Sequence, residues 1–210
     1  MKKFIIALFF SVSLLAHAAP YQPKDYSRLL GMKGFGDDLL NLHFQLYKGY
    51  VKNLNLLQEM LKNKPLSDSA QIYDFGALKR RIGWEFDGMR LHELYFENLG
   101  GTGVPDPKSP LCQKIATQFG SFDKWKGDFI ATGSMRGIGW VILYQDLLSG
   151  NLTNVWVEEH DLGHFAASAP LLVMDVWEHA YITQFALDRS KYIDAFFANI
   201  DWSVVNQRSQ

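Results

Sequence analysis

Residues 170–182 are almost wholly apolar, yet they carry Asp175, Glu178 and His179. Asp, Glu and His are seldom buried without a partner, because an isolated charge or polar group in an apolar setting is costly. Asp175 and His179 stand four residues apart, and a metal ion is one partner that satisfies both. Whether the rest of the chain completes such a site decides its function.

Residues 37–62 place Leu39, Leu42, Tyr47, Tyr50, Leu54, Leu57, Met60 and Leu61 at helical spacing, which predicts one long helix. A polar connector containing Pro65 leads to a second long helix over 72–99, weakened by Gly76, Gly83 and Gly88. Two long helices with a short link read as an antiparallel hairpin. Residues 100–110, rich in Gly and Pro, mark the boundary between a unit at 19–102 and one at 103–210.

Beyond that boundary a short helix is expected over 111–119, then another over 122–135 with Ser121 as its N-cap. Residues 140–147 and 152–159 read as strands joined by a turn at Ser149, Gly150 and Asn151. Residues 171–174 form a third buried strand, and helices follow from about His179 to Val205. The expected fold is α+β: an N-terminal helical hairpin, then a C-terminal α/β domain with a small three-stranded antiparallel sheet. Tyr21 to Gly36 should be extended with a short turn.

The first 18 residues have the form of an export signal: Lys2 and Lys3, an apolar core over 4–15, and the small-x-small site Ala16-His17-Ala18. Cleavage near Ala18 and Ala19 would deliver a periplasmic or secreted chain of about 190 residues, enough for one or two domains. The apolar run is shorter than the roughly 20 residues of a membrane span, so no membrane association is expected afterwards. Losing Lys2 and Lys3 takes the formal charge from −1 to −3, which leaves no footprint for nucleic acid. Cys112 is the only cysteine, so no internal disulfide is available, and it reads as an inert core thiol.

His43, His92 and His179 lie in apolar helical contexts, and His160 and His164 in an acidic loop. Taken singly, each of the first three is most simply a buried histidine with a hydrogen-bond partner. Taken with Asp175, they offer three imidazoles and one carboxylate, a set that suits iron, manganese, zinc or copper better than calcium or magnesium.

The segment Asp175-Val176-Trp177-Glu178-His179-Ala180-Tyr181 resembles the hallmark of the iron/manganese superoxide dismutase family. Other stretches resemble that family in its own order. They are Tyr50-Val51-Lys52-Asn53-Leu54-Asn55, Leu91-His92-Glu93-Leu94-Tyr95-Phe96 and Gly120-Ser121-Phe122-Asp123-Lys124-Trp125-Lys126. Gly137-Ile138-Gly139-Trp140-Val141 and Tyr192-Ile193-Asp194-Ala195-Phe196 with Ile200-Asp201-Trp202 continue the series.

The resemblance implies one iron or manganese ion per subunit, held by His43, His92, Asp175 and His179. It implies that superoxide is the substrate, disproportionated to dioxygen and hydrogen peroxide by a metal that changes oxidation state, which zinc cannot do. It makes Tyr50 the gateway tyrosine, Trp140 and Trp177 the pocket walls, and Arg189 the arginine that attracts the anion. Glu178 would reach the ligand histidine of a second subunit in a homodimer and fix its tautomer.

The chain also departs from the family pattern. The family's tyrosine lies about eight residues, or two turns, after its ligand histidine, whereas Tyr50 lies seven after His43. Aligning on the tyrosine would put Leu42 at the ligand position; His43 with a one-residue deletion is the preferred register, since removal of a π-bulge absorbs one residue. Tyr47 stands where the family has a further histidine, and Ile182 where it has a second tyrosine, so the interface proton path is either rebuilt around Tyr47 or absent. The family's outer-sphere glutamine is also missing: its helical position holds Gly88, and its loop position holds His160, to which its role is assigned. His164 has no family counterpart and reads as surface. These changes keep a second reading open, a metal-binding relative with little or no dismutase activity. A helical interaction domain with structural histidines is a third.

Overall fold

The computed structural model describes residues 19–62 and 64–210, so the proposed export signal lies outside the described residues. Helix α1 spans Asp37–Lys62 and α2 spans Ser69–Glu97, and they pack as an antiparallel pair. Asp37 and Asp38 sit in the first turn of α1, where negative charge meets the positive end of the helix dipole. The buried stripe of α1 is Leu39, Leu40, His43, Phe44, Tyr47, Val51, Leu54 and Leu57. Leu42 and Met60, which the spacing would have buried, face outward.

Helix α2 begins three residues before its expected start because Asp68 caps it, accepting from the Gln71 amide, while the Gln71 side chain reaches back to Ser67. Only its second half is buried, through Glu85, Gly88, Met89, Leu91, His92, Glu93, Tyr95 and Phe96. Ile72 and Tyr73 are exposed.

The connector after α2 is stitched to the chain's C-terminal part. The Gly101 amide donates to Asn199 O, the Gly103 amide to Ile200 O, and Leu99 bridges Ile200. A Cβ on Gly101 would collide with the Ile200–Asp201 backbone, so only glycine permits this approach.

Helix α3, Pro110–Phe119, is capped by Ser109 and stopped by Gly120 at positive φ. Helix α4, Phe122–Gly133, is capped by Ser121, as expected. It stops two residues early, where the Ser134 hydroxyl turns back onto Ile130 O.

Strands β1 (Gly139–Asp146), β2 (Leu152–Glu158) and β3 (Ser168–Asp175) form an antiparallel sheet in the order β2-β1-β3. The central strand reads as a continuous apolar run, while β2 buries Val155 and Val157 in alternation and Leu152 at its start. Strand β3 extends beyond the expected apolar core at both ends. Register pairs Trp140 with Asp175, placing one of the expected pocket walls beside one of the expected ligands.

The C-terminal helical region is more broken than its composition suggests. A 3-10 turn at Glu178–Ala180 is followed by α5 (Ile182–Phe185), α6 (Arg189–Ala198) and α7 (Trp202–Arg208). Ala186 at φ 50° ends α5. Helix α7 runs past Val205 because the Arg208 guanidinium is anchored on Leu94 O, Leu171 O and Glu97. One core runs through both halves, with Trp125, Trp140, Tyr95 and Tyr192 fully buried. Among the described residues no helix is long and apolar enough to cross a membrane.

Candidate metal centre

Four elements bring their donors to one point. His43 comes from α1, His92 from α2, Asp175 from the last position of β3, and His179 from the 3-10 turn that follows. Each offers one ligand atom, and these atoms lie within 4.8 Å of one another. Asp175 Oδ2 is the hub: His43 Nε2 and His179 Nε2 are each 3.1 Å away, and His92 Nε2 is 3.7 Å away. Leu42 is 53 % exposed, which settles the register of α1 in favour of His43.

The protonation states fit a cation. Burial drives the His92 imidazole well below its ordinary pKa, and repulsion from His43 adds to this. Burial also lowers His43, partly offset by its hydrogen bond with Asp175. Burial alone would raise Asp175, but the charge and hydrogen bond of His179 and the bond from His43 hold it far below the usual carboxylate range. An ionised Asp175 and the neutral forms favoured at His43 and His92 are forms that a metal requires.

His92 supplies the sharpest test of fit. A carbonyl can only accept, so its Nδ1–H donates to Gly88 O and its Nε2 carries a lone pair. That Nε2 is fully buried, has no hydrogen-bond partner among the described residues and faces the Asp175 carboxylate. Two facing lone pairs repel. An ion about 2 Å from each donor, the usual bond length to nitrogen and oxygen, removes the conflict.

The surrounding groups hold Asp175 in place. The Trp177 amide donates to Asp175 Oδ1 at 2.8 Å, and the Tyr192 hydroxyl to the Asp175 carbonyl at 2.6 Å. Trp140 meets His92 edge to face at 5.0 Å, and Trp177 stacks on His179 and on His160. Both tryptophans therefore lie against donor rings.

His160 is fully buried rather than a loop histidine facing solvent. An indole can only donate, so Trp140 Nε1–H gives its hydrogen to His160 Nδ1 at 3.1 Å. Burial lowers the His160 pKa to about 4, with Asp175 acting against the shift and His179 and Arg81 adding to it. The neutral ring then carries its proton on Nε2 and donates to the Tyr50 oxygen at 2.6 Å. Tyr50 keeps its own proton, because burial raises its pKa and the charges of Asp175 and Glu85 raise it further.

Gly88 explains why this bridge comes from the loop and not from α2. A Cβ at Gly88 would stand 2.6 Å from the Tyr50 ring. With Tyr50 only seven positions after His43, the tyrosine ring occupies the space that a helical side chain would need. The outer group must therefore reach the tyrosine from the opposite wall.

The remaining residues singled out in the sequence meet different fates. Tyr47 is fully buried, donates to Glu93 Oε1 at 2.9 Å and accepts from the Lys24 amide at 3.0 Å, while Glu93 pairs with the part-exposed Lys24 and Arg90. Arg189 is not a freely solvated cation: it donates to the carbonyls of Gly133, Met135 and Gly137 and to the Tyr181 hydroxyl. Glu178 is exposed beside the donors. Cys112 is a buried thiol whose pKa burial raises. His164 is half-buried and bonded at both ring nitrogens, contrary to a surface reading. Sequence reasoning also passed over Trp84, whose ring meets His160 edge to face with centroids 4.9 Å apart. It stands four and eight residues before Gly88 and His92 on one helix stripe, a signal that could have found it.

Comparison with known proteins agrees with this geometry. Residues 107–208 match the model of the C-terminal domain of iron/manganese superoxide dismutases. The chain is 35 % identical over 192 residues to a superoxide dismutase [Fe] of Aquifex aeolicus, covering 89 % of this chain and 90 % of the relative. It is 34 % identical over 178 residues to a superoxide dismutase [Fe] of Saccharolobus solfataricus, covering 82 % and 84 %. It is also 34 % identical over 163 residues to a superoxide dismutase [Mn] 2 of Haloferax volcanii, covering 76 % and 79 %.

Proposed function

The chain belongs to the iron/manganese superoxide dismutase family, and on that premise we propose that it converts two superoxide anions and two protons into dioxygen and hydrogen peroxide. One iron or manganese ion per subunit fits the donor set of His43, His92, Asp175 and His179. When bound, such an ion supplies the reversible one-electron exchange that the reaction requires and that zinc lacks. The observation that carries the reading is the orphaned His92 Nε2 facing an ionised, fully buried carboxylate.

The chain's own residues handle protons and access. His160 donates to the Tyr50 oxygen, so the Tyr50 O–H is free to point at a reduced substrate oxygen and deliver a proton. Trp140 and Trp177 exclude bulk water from the donors, which strengthens every electrostatic contact inside. Arg189 attracts the anion through its charge, since its N–H groups are already engaged.

A homodimer is supported by His179, whose ring is a quarter exposed and whose Nδ1 has no hydrogen bond among the described residues. The exposed Glu178 of a second copy would accept from it and fix its tautomer. Export to the periplasm or beyond, and the division into units at 19–102 and 103–210, belong to the same proposal.

The purified mature protein should contain about one equivalent of iron or manganese, and should accelerate superoxide loss in proportion to that metal. A full complement of metal without acceleration would support the low-activity alternative. Absence of transition metal, with stability unchanged by chelator, would leave the histidines structural.

A further inference from the structure

We infer that His164 is a positioning residue that fixes the loop carrying His160; this rests on the reading of His160 as the group that orients Tyr50. The loop needs fixing. Glu159, next to His160, has φ 53°, a left-handed conformation that non-glycine residues adopt at a cost and keep only when their surroundings impose it. The surroundings are on the page. The Glu159 amide donates to Ile138 O, Trp177 Nε1 donates to Glu159 O, and Glu158 and Leu162 bridge across the turn. None of these bonds holds His160 itself.

His164 supplies that bond. Its Nε2 lies 2.8 Å from the His160 carbonyl, which can only accept, so Nε2 carries the hydrogen and donates. Its Nδ1 is then a lone pair and accepts from the Tyr144 hydroxyl at 2.7 Å. One neutral tautomer satisfies both bonds. Asp87 on α2, at 3.8 Å from Nε2, is beyond hydrogen-bond reach and does not compete for that hydrogen.

Tyr144 is buried on the central strand β1, which also carries Trp140. One strand therefore reaches both sides of His160: Trp140 holds its ring nitrogen, and Tyr144 acting through His164 holds its backbone carbonyl. With both fixed, His160 Nε2 is aimed at Tyr50 and has no freedom to swing out with the loop.

The test is a double-mutant cycle in the metal-loaded full-length protein, read as superoxide turnover per bound metal. His164→Ala should lower turnover about tenfold without changing metal content, the low end of what outer-shell changes cost. His164→Gln, whose amide can donate to His160 O and accept from Tyr144, should restore most of that loss. In a His160→Ala background, His164→Ala should have no further effect. Tyr144→Phe, which removes one hydroxyl, should give a smaller loss in the same direction and covers the case in which His164→Ala folds poorly. Equal losses from His164→Ala in both backgrounds, or no rescue by glutamine, would overturn the inference. Undiminished turnover in His164→Ala and Tyr144→Phe beside an impaired His160→Ala would overturn it while leaving the role of His160 intact. Undiminished turnover in His160→Ala would instead overturn the reading beneath it.

Discussion

His43, His92, Asp175 and His179 stand where local spacing and burial put them, whereas His160, Tyr50 and Trp140 meet only because Gly88 leaves room. The inner four are donors on two long helices, a strand end and a turn, each aimed by the backbone of its own element. The outer three come from α1, β1 and a strained loop, and their arrangement depends on the close fit of one ring against one glycine. Donor spacing can therefore be read along the chain, but the ring outside it is a packing solution.

Breaking the inner set should have the largest effect. Asp175→Ala removes the hub carboxylate and should abolish stoichiometric metal binding and all superoxide turnover, measured by metal analysis and assay on the same sample. Next, Gly88→Gln restores a helical amide at the cost of a clash with Tyr50. Overpacking of this kind typically costs about 1–3 kcal/mol, so a lowered denaturation midpoint is expected together with reduced turnover. A stable, active variant would mean that Tyr50 has another place to go.

His160 allows a finer cut. His160→Ala should reduce turnover by about 10–100-fold, while His160→Gln, which can still accept from Trp140 and donate to Tyr50, should lose much less. The same residue predicts a pH dependence. Its folded pKa of about 4 lies below the ordinary 6.5, so the unfolded chain binds the proton more readily. Its contribution is fully present above pH 6.5 and is lost as pH falls toward 4. Comparing acid melting curves of the wild-type and His160→Gln proteins isolates this term, and the glutamine variant should lose less stability over that window. The smallest effect belongs to Leu42→Ala, at an exposed position on α1. It should change stability by less than about 0.5 kcal/mol and leave metal content unchanged, while loss of metal would contradict the His43 register of α1.

The same division governs what the sequence made legible. The long helices, the three strands and the cap at Ser121 follow from period, apolar runs and capping chemistry, all local properties. Asp175 and His179 announced themselves as ionisable groups in an apolar run. The early start of α2 was missed because Ser69 and Ala70 carry no apolar signal and the deciding contact is the Asp68 cap. The break at Ala186 was missed because a positive φ at alanine has no local mark. His164 looked like a surface residue among acids and glycine, since its partner Tyr144 lies 20 residues away on another element. Arg189 matched a family position, but its engagement with three carbonyls depends on how residues 133–137 fold beneath it.

The central claim is that four side chains converge on one redox-active ion. Anomalous difference density, collected at the iron and manganese absorption edges on crystals of the purified protein, tests it directly. One peak per chain is predicted, about 2 Å from His43 Nε2, His92 Nε2, Asp175 Oδ2 and His179 Nε2. No peak among these atoms in metal-loaded protein, or a peak that omits His92, would contradict the account.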